Sequence, residues 1–141
     1  MELKTAQFGV INIGEDELIN FPMGIPGFEN NKKFVLIGND PAALFFWLQS
    51  AEDPNLCFVV TDPFSIYPNY YVDVDDDDVN FLEITDSGNV MTLAVVVIPE
   101  KIEETRVNLK APILINVEKK IGKQIIQKDE SLPIRYYLYQ N

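Results

Sequence analysis

The apolar positions of this chain fall in short runs separated by turn-forming residues. Val10, Ile11 and Ile13 follow Gly9, and Phe34 to Ile37 follow the polar stretch Asn30 to Lys33. Leu44 to Leu48, Leu56 to Val60, Tyr70 to Val74, Met91 to Ile98, Thr105 to Leu109, Ile113 to Val117 and Ile121 to Ile126 complete the series. β-branched and aromatic residues dominate these runs, and Pro, Gly, Asn or Asp punctuate them, so each reads as a strand. Turn signals recurring every ~8–12 residues give the rhythm of a sandwich or barrel. The stretch INVEKKIGKQII (115–126) reads as a hairpin turning near Lys119 to Gly122. One short helix is expected after the aspartate run, beginning near Val79. Asp75 to Asp78 would cap and charge its N-terminus, with Val79 and Leu82 facing inward. The predicted fold class is all-β and mainly antiparallel: a small barrel-like domain with one short helix, spanning 1–141 as a single domain.

The stretch FPMGIPGFE (21–29) spaces Gly24 and Gly27 as phosphate-cradling loops do. A dinucleotide fingerprint needs a strand, three spaced glycines and then a helix that receives the phosphates. Here Pro22 and Pro26 remove two backbone donors, Glu29 would repel an anion, and a strand follows. The segment is better read as a stiff corner. Its glycines would supply positive φ, and Phe21 and Phe28 would plug it against the core.

A chain of 141 residues with 47% hydrophobic positions can bury roughly 70% of its unfolded surface. No apolar run approaches the ~20 residues of a membrane helix. Glu2 and Lys4 at the start argue against an export signal. Cys57, the single cysteine, sits in LCFVV and reads as a buried packing residue. A cytoplasmic, reducing location is expected.

Charge changes the picture more. The chain has 22 acidic and 11 basic side chains, a net charge of −11, and no lysine or arginine between Phe34 and Glu100. A surface of one sign repels phosphate backbones and attracts basic partners, so neither direct nucleic-acid binding nor a membrane surface is expected. Histidine is absent, which removes the usual general base and the commonest metal ligand. A calcium loop needs glycine at its sixth position and glutamate at its twelfth. Counted from Asp73 those positions hold Asp78 and Ile84, and counted from Asp75 they hold Asn80 and Asp86. No cofactor, no metal and no enzymatic activity are expected.

Three Asp-Pro steps, at Asp40, Asp53 and Asp62, suit strand punctuation. QSAEDPNLCFVVTDPF (49–64) also places Glu52, Asp53 and Asp62 at the two ends of one apolar strand, with Phe64 and Tyr67 close by. Acidic groups rimming aromatic anchors make a patch for a basic protein partner. In VNLKAP (107–112), which holds Asn108 and Lys110, Pro112 limits strand pairing. Asn108 and Asn116 serve either a local bend or, at Asn108, an edge open to an extended peptide.

FPMGIPGFE (21–29), FFWLQSAEDPNLCFVVTDPF (45–64), VVVIPE (95–100) and VNLKAPILINVEKKIGKQII (107–126), taken together in this order, resemble the FliW family of bacterial flagellar assembly factors. The tail LPIRYYLYQN keeps Arg135 and lacks the histidine expected beside it. The resemblance implies a small antiparallel β-barrel acting as a regulatory binding protein. Its implied partners are CsrA, a small RNA-binding translational repressor, and flagellin. Accumulating flagellin would occupy the protein, release CsrA and lower flagellin synthesis. From chemistry and motif position, Glu52, Asp53, Asp62 and Phe64 are the expected CsrA contacts. Asn108 and Lys110 mark the segment that would take flagellin. A monomer is expected. The alternative is a single-stranded nucleic-acid-binding barrel; Tyr67, Tyr70 and Tyr71 would stack bases, but the surrounding charge has the wrong sign.

Overall fold

The computed structural model describes residues 1–38 and 40–139, so the last two residues of the tail motif lie outside it. The strands are β1 (Glu2–Thr5), β2 (Gly9–Asn12), β3 (Ile19–Asn20), β4 (Lys33–Ile37), β5 (Phe46–Ser50), β6 (Cys57–Thr61), β7 (Val90–Val97), β8 (Arg106–Val107), β9 (Ile113–Asn116), β10 (Ile121–Gln124) and β11 (Tyr136–Tyr137). The helices are α1 (Pro63–Ile66) and α2 (Asp76–Phe81). Strands β4 to β7 form an antiparallel meander. β7 pairs with β9, which turns back into β10. β10 then meets β3 in a parallel contact, Ile121 opposite Asn20, and β3 returns to β4. The circuit β3-β4-β5-β6-β7-β9-β10 is a closed barrel of seven strands.

Strand runs such as FVLI and ILIN are apolar on both faces because both faces are covered. Phe34, Leu48, Val60, Leu93, Ile113 and Ile115 fill the interior. The alternate residues point outward into three satellite layers. Val35 meets Leu3 and Ile13 of the β1–β2 hairpin. Leu114 meets Leu82 and Ile125 beneath α2. Ala94 and Val96 meet Tyr70, Val107, Leu109 and Leu132.

β7 divides its allegiance. One edge pairs with β6, while the other pairs with β9 through Val90–Leu93 and then with β8 through Val96–Val97. β11 extends the sheet beyond β8.

Several local expectations need correction. Tyr70–Val74 is not a strand, although it runs alongside the barrel. The buried Gln127 side chain replaces a neighbouring strand: its Oε1 accepts the Asp73 N–H at 2.8 Å and its Nε2 donates to the Asp73 carbonyl at 3.0 Å. The expected strand Thr105–Leu109 shrinks to β8. β1 is an additional strand, and α1 an additional helix, with Asp62 as its N-cap and Pro63 in its first turn. α2 begins at Asp76, within the aspartate run and three residues before the expected start near Val79, with Asp75 as its N-cap accepting the Asp78 N–H at 2.8 Å. Leu82 is fully buried but follows the helix as its C-cap, and Val79 is half-buried. Cys57 is half-buried, and desolvation pushes its thiol pKa up.

The FPMGIPGFE corner has the expected backbone, with φ of +68° at Gly24 and +90° at Gly27. Phe21 is fully buried and packs edge-on against Phe34. Phe28 does not plug the core. It remains 42% exposed, its ring edge-on to Phe58 at 5.3 Å.

Gly122 of β10 is the counterpart to Phe21. A Cβ there would lie 2.5 Å from Phe21 Cζ. The ring is fully buried in the close-packed core, so Gly122→Ala should lower stability by about 1–3 kcal/mol. Urea denaturation with an unchanged m-value checks this.

Candidate protein-binding groove

At the Val90 end of β7, a cleft of about 500 Å³ opens between residues 40–44, α1 and the turn preceding β7. Phe46, Met91 and Leu93 line it. A second depression of about 450 Å³ runs toward α2, lined by Tyr71, Val74, Val79 and Ile84. Phe64, Val90 and Thr92 border both, so the two form one apolar groove divided by Phe64.

The Asp62 cap and Pro63 start a single helical turn here, and that turn holds Phe64 out from the surface. The ring is 52% exposed and rests edge-on against Tyr70 at 5.4 Å. Tyr70 is in turn pinned by its hydroxyl, which donates to the Leu109 carbonyl at 2.8 Å. Burial pushes the Tyr70 pKa up to about 12. Phe64 is therefore a presented aromatic on a fixed base.

Asp40 and Asp62 line the groove, Asp75 and Asp86 adjoin its lining residues Val74 and Ser87 in the chain, and each is held by a local hydrogen bond. Asp40 accepts the Ala42 N–H at 2.8 Å, and Asp62 accepts the Phe64 N–H at 3.0 Å and the Ser65 hydroxyl at 3.1 Å. Asp75 caps α2, and Asp86 accepts the Gly88 N–H at 2.9 Å. Capping fixes the direction of each side chain. No lysine or arginine lines either depression. The Asp78–Lys123 pair is the only salt bridge among the described residues. The groove thus joins exposed apolar surface to an uncompensated negative field. Such a surface attracts cationic partners at a rate that falls with salt. Among the described residues no cluster of three or more carboxylates or thiols is arranged to hold a metal ion.

The FliW protein family model matches residues 2–138. A flagellar assembly factor FliW from Caldicellulosiruptor bescii is 49% identical over 139 residues, covering 99% of this chain and 91% of that protein. The flagellar assembly factor of Caldicellulosiruptor saccharolyticus is 48% identical with the same coverage. A crystal structure of the flagellar assembly factor FliW superposes with a TM-score of 0.91 at 35% identity, covering 100% of this chain and 99% of the other. The chain belongs to the FliW family.

On this FliW scaffold the six residues expected to bind partners do not form one site. Asp62 and Phe64 stand at the groove. Glu52 and Asp53 lie in the β5–β6 turn, separated from Asp62 by the length of β6, about 16 Å of extended chain. Glu52 accepts the Lys32 and Lys33 backbone N–H groups, and Asp53 accepts the Asn55 N–H at 2.9 Å. Asn108 Oδ1 accepts the Lys110 and Ala111 N–H groups at 3.0 and 3.1 Å, the local-bend reading. Lys110 Nζ donates to the Asp129 carbonyl at 2.7 Å. β8 lies between β7 and β11, so the 107–112 segment does not begin on an open sheet edge. Leu44 and Met91 are groove residues whose sequence pattern marks them as strand residues without a binding role, and Tyr71 lines the groove although it is expected in a strand and, in the alternative, as a base-stacking residue. Their pattern matches that of core residues, and only the third dimension separates them. No helix among the described residues is long and apolar enough to cross a membrane.

Tyr70 provides a pH test of this base. Between its unfolded pKa near 10 and its folded value of about 12, the unfolded chain has lost a proton that the folded protein keeps. Stability therefore falls with rising pH in that window, by up to about 1.4 kcal/mol per pH unit from this group. Tyr70→Phe should lose about 1 kcal/mol at neutral pH through the missing hydrogen bond. Its deficit relative to wild type should shrink above pH 10, as read from urea midpoints.

Proposed function

We propose that this FliW-family protein is a cytoplasmic, non-catalytic flagellar assembly factor that binds the translational repressor CsrA and relieves repression of flagellin messenger RNA. Flagellin binds the same protein in exchange: as flagellin accumulates it occupies the factor, and the released CsrA shuts flagellin synthesis down. The observation that carries this reading is the Phe64 groove, apolar within, bordered by the capped Asp40 and Asp62, and with no lysine or arginine in its lining. A protein that binds RNA carries cationic groups for phosphate. Those same groups are drawn to this rim, and the rim repels the RNA they would otherwise hold. Phe64 supplies the desolvated aromatic anchor that turns a charged encounter into a stable contact.

The caps allow charge to be separated from structure. Asn serves as an N-cap about as well as Asp. Asp62→Asn with Asp86→Asn should therefore leave stability within about 0.5 kcal/mol of wild type. The association rate with CsrA should fall several-fold at low salt, and the difference should close as salt rises. Phe64→Ala should weaken CsrA binding about tenfold or more, chiefly through faster dissociation. Surface plasmon resonance at two ionic strengths measures both effects. CsrA affinity unchanged in all these variants would remove the groove from the proposal.

A further inference from the structure

A second groove, of about 320 Å³, lies at the Val97 end of β7, where the strand has left β9 for β8. Its walls include Pro26, Phe58, Val95 and Val97, together with Arg106 and Arg135. These are the only two arginines in a chain of net charge −11, and no carboxylate lines the groove they share. Neither arginine is ion-paired among the described residues. The closest partner of Arg106 is the Glu104 carbonyl, at a long 3.4 Å.

The strand register explains why they meet. Tyr136 lies opposite Val107 and Tyr137 opposite Arg106, which puts Arg135 opposite Asn108. Val107 and Tyr136 face the core layer on one side. Arg106, Asn108 and Arg135 alternate to the other side and face the groove. Arg106 and Arg135 are then diagonal neighbours, with Cα atoms about 7–8 Å apart. Two residues of an extended chain span about 6.6–7 Å. A guanidinium fork matches a carboxylate with two parallel hydrogen bonds.

The geometry points to a second docking site, opposite in sign to the Phe64 groove. Its occupant is an extended protein segment bearing carboxylate side chains at positions i and i+2, flanked by branched aliphatic residues. The carboxylates engage Arg106 and Arg135. The aliphatic side chains lie on Val97 and Ile134, which are exposed in the free protein. This site is independent of the CsrA-binding reading and stands if that reading fails.

The probe is a blocked heptapeptide, Ile-Thr-Glu-Ser-Glu-Thr-Ile, titrated into isotope-labelled protein and followed by amide chemical shifts. Saturable shifts should appear at Val97, Arg106 and Ile134, and the same peptide with Gln for both Glu should produce none. Arg106→Gln with Arg135→Gln should keep the dispersed spectrum of the folded barrel and weaken the Glu peptide at least tenfold. The proposal is overturned if the Glu peptide gives no shifts, if the Gln peptide binds equally, if the double variant binds unchanged, or if the shifts gather around Phe64.

Discussion

The divided pairing of β7 is the constraint on which the rest of this structure depends. A strand has two edges, and β7 gives one of them to β6. The other edge is shared between β9, which closes the barrel, and β8, which leaves it. Closure removes the open hydrogen-bonding edges that invite uncontrolled association. The change of partner leaves a depression at each end of the same strand. Residues from Val90 to Leu93 line the acidic groove, and Val95 and Val97 line the arginine groove. Two concave surfaces of opposite charge therefore follow from one strand too long for a single neighbour.

In the acidic groove the proposed binding role falls on atoms that already have a structural one. Asp40, Asp62, Asp75 and Asp86 each satisfy a backbone N–H at the start of a turn or helix. Those hydrogen bonds fix the position of each side chain on its own turn. Turn formation thus places Asp40 and Asp62 in the same lining as Phe64.

Much of the fold was legible because barrel strands covered on both faces read as continuous β-branched and aromatic runs, as in FVLI, CFVV and LAVVV. The corner at 21–29 was legible from Gly24 and Gly27. Failures came where tertiary partners replaced local pattern. Tyr70–Val74 has strand chemistry, yet its neighbour is the Gln127 side chain from more than fifty positions away. Phe28 has the composition of a core residue but packs on the outside of the corner. Asp62 and Phe64, chosen as acidic and aromatic neighbours in one motif, both line the groove. Glu52 and Asp53 share that motif in sequence but stand at the far end of β6, because a strand separates what a quoted stretch puts together. The arginine groove was not legible at all, since Arg106 and Arg135 meet only through the β8–β11 register.

The central claim is that one small barrel exchanges two partners. Its most direct measurement is a titration of flagellin into a preformed complex of this protein with CsrA, followed by light scattering coupled to size-exclusion chromatography. The account predicts stoichiometric release of CsrA as a flagellin complex forms, with no species containing all three proteins. A stable ternary complex, or a CsrA complex indifferent to excess flagellin, would contradict it.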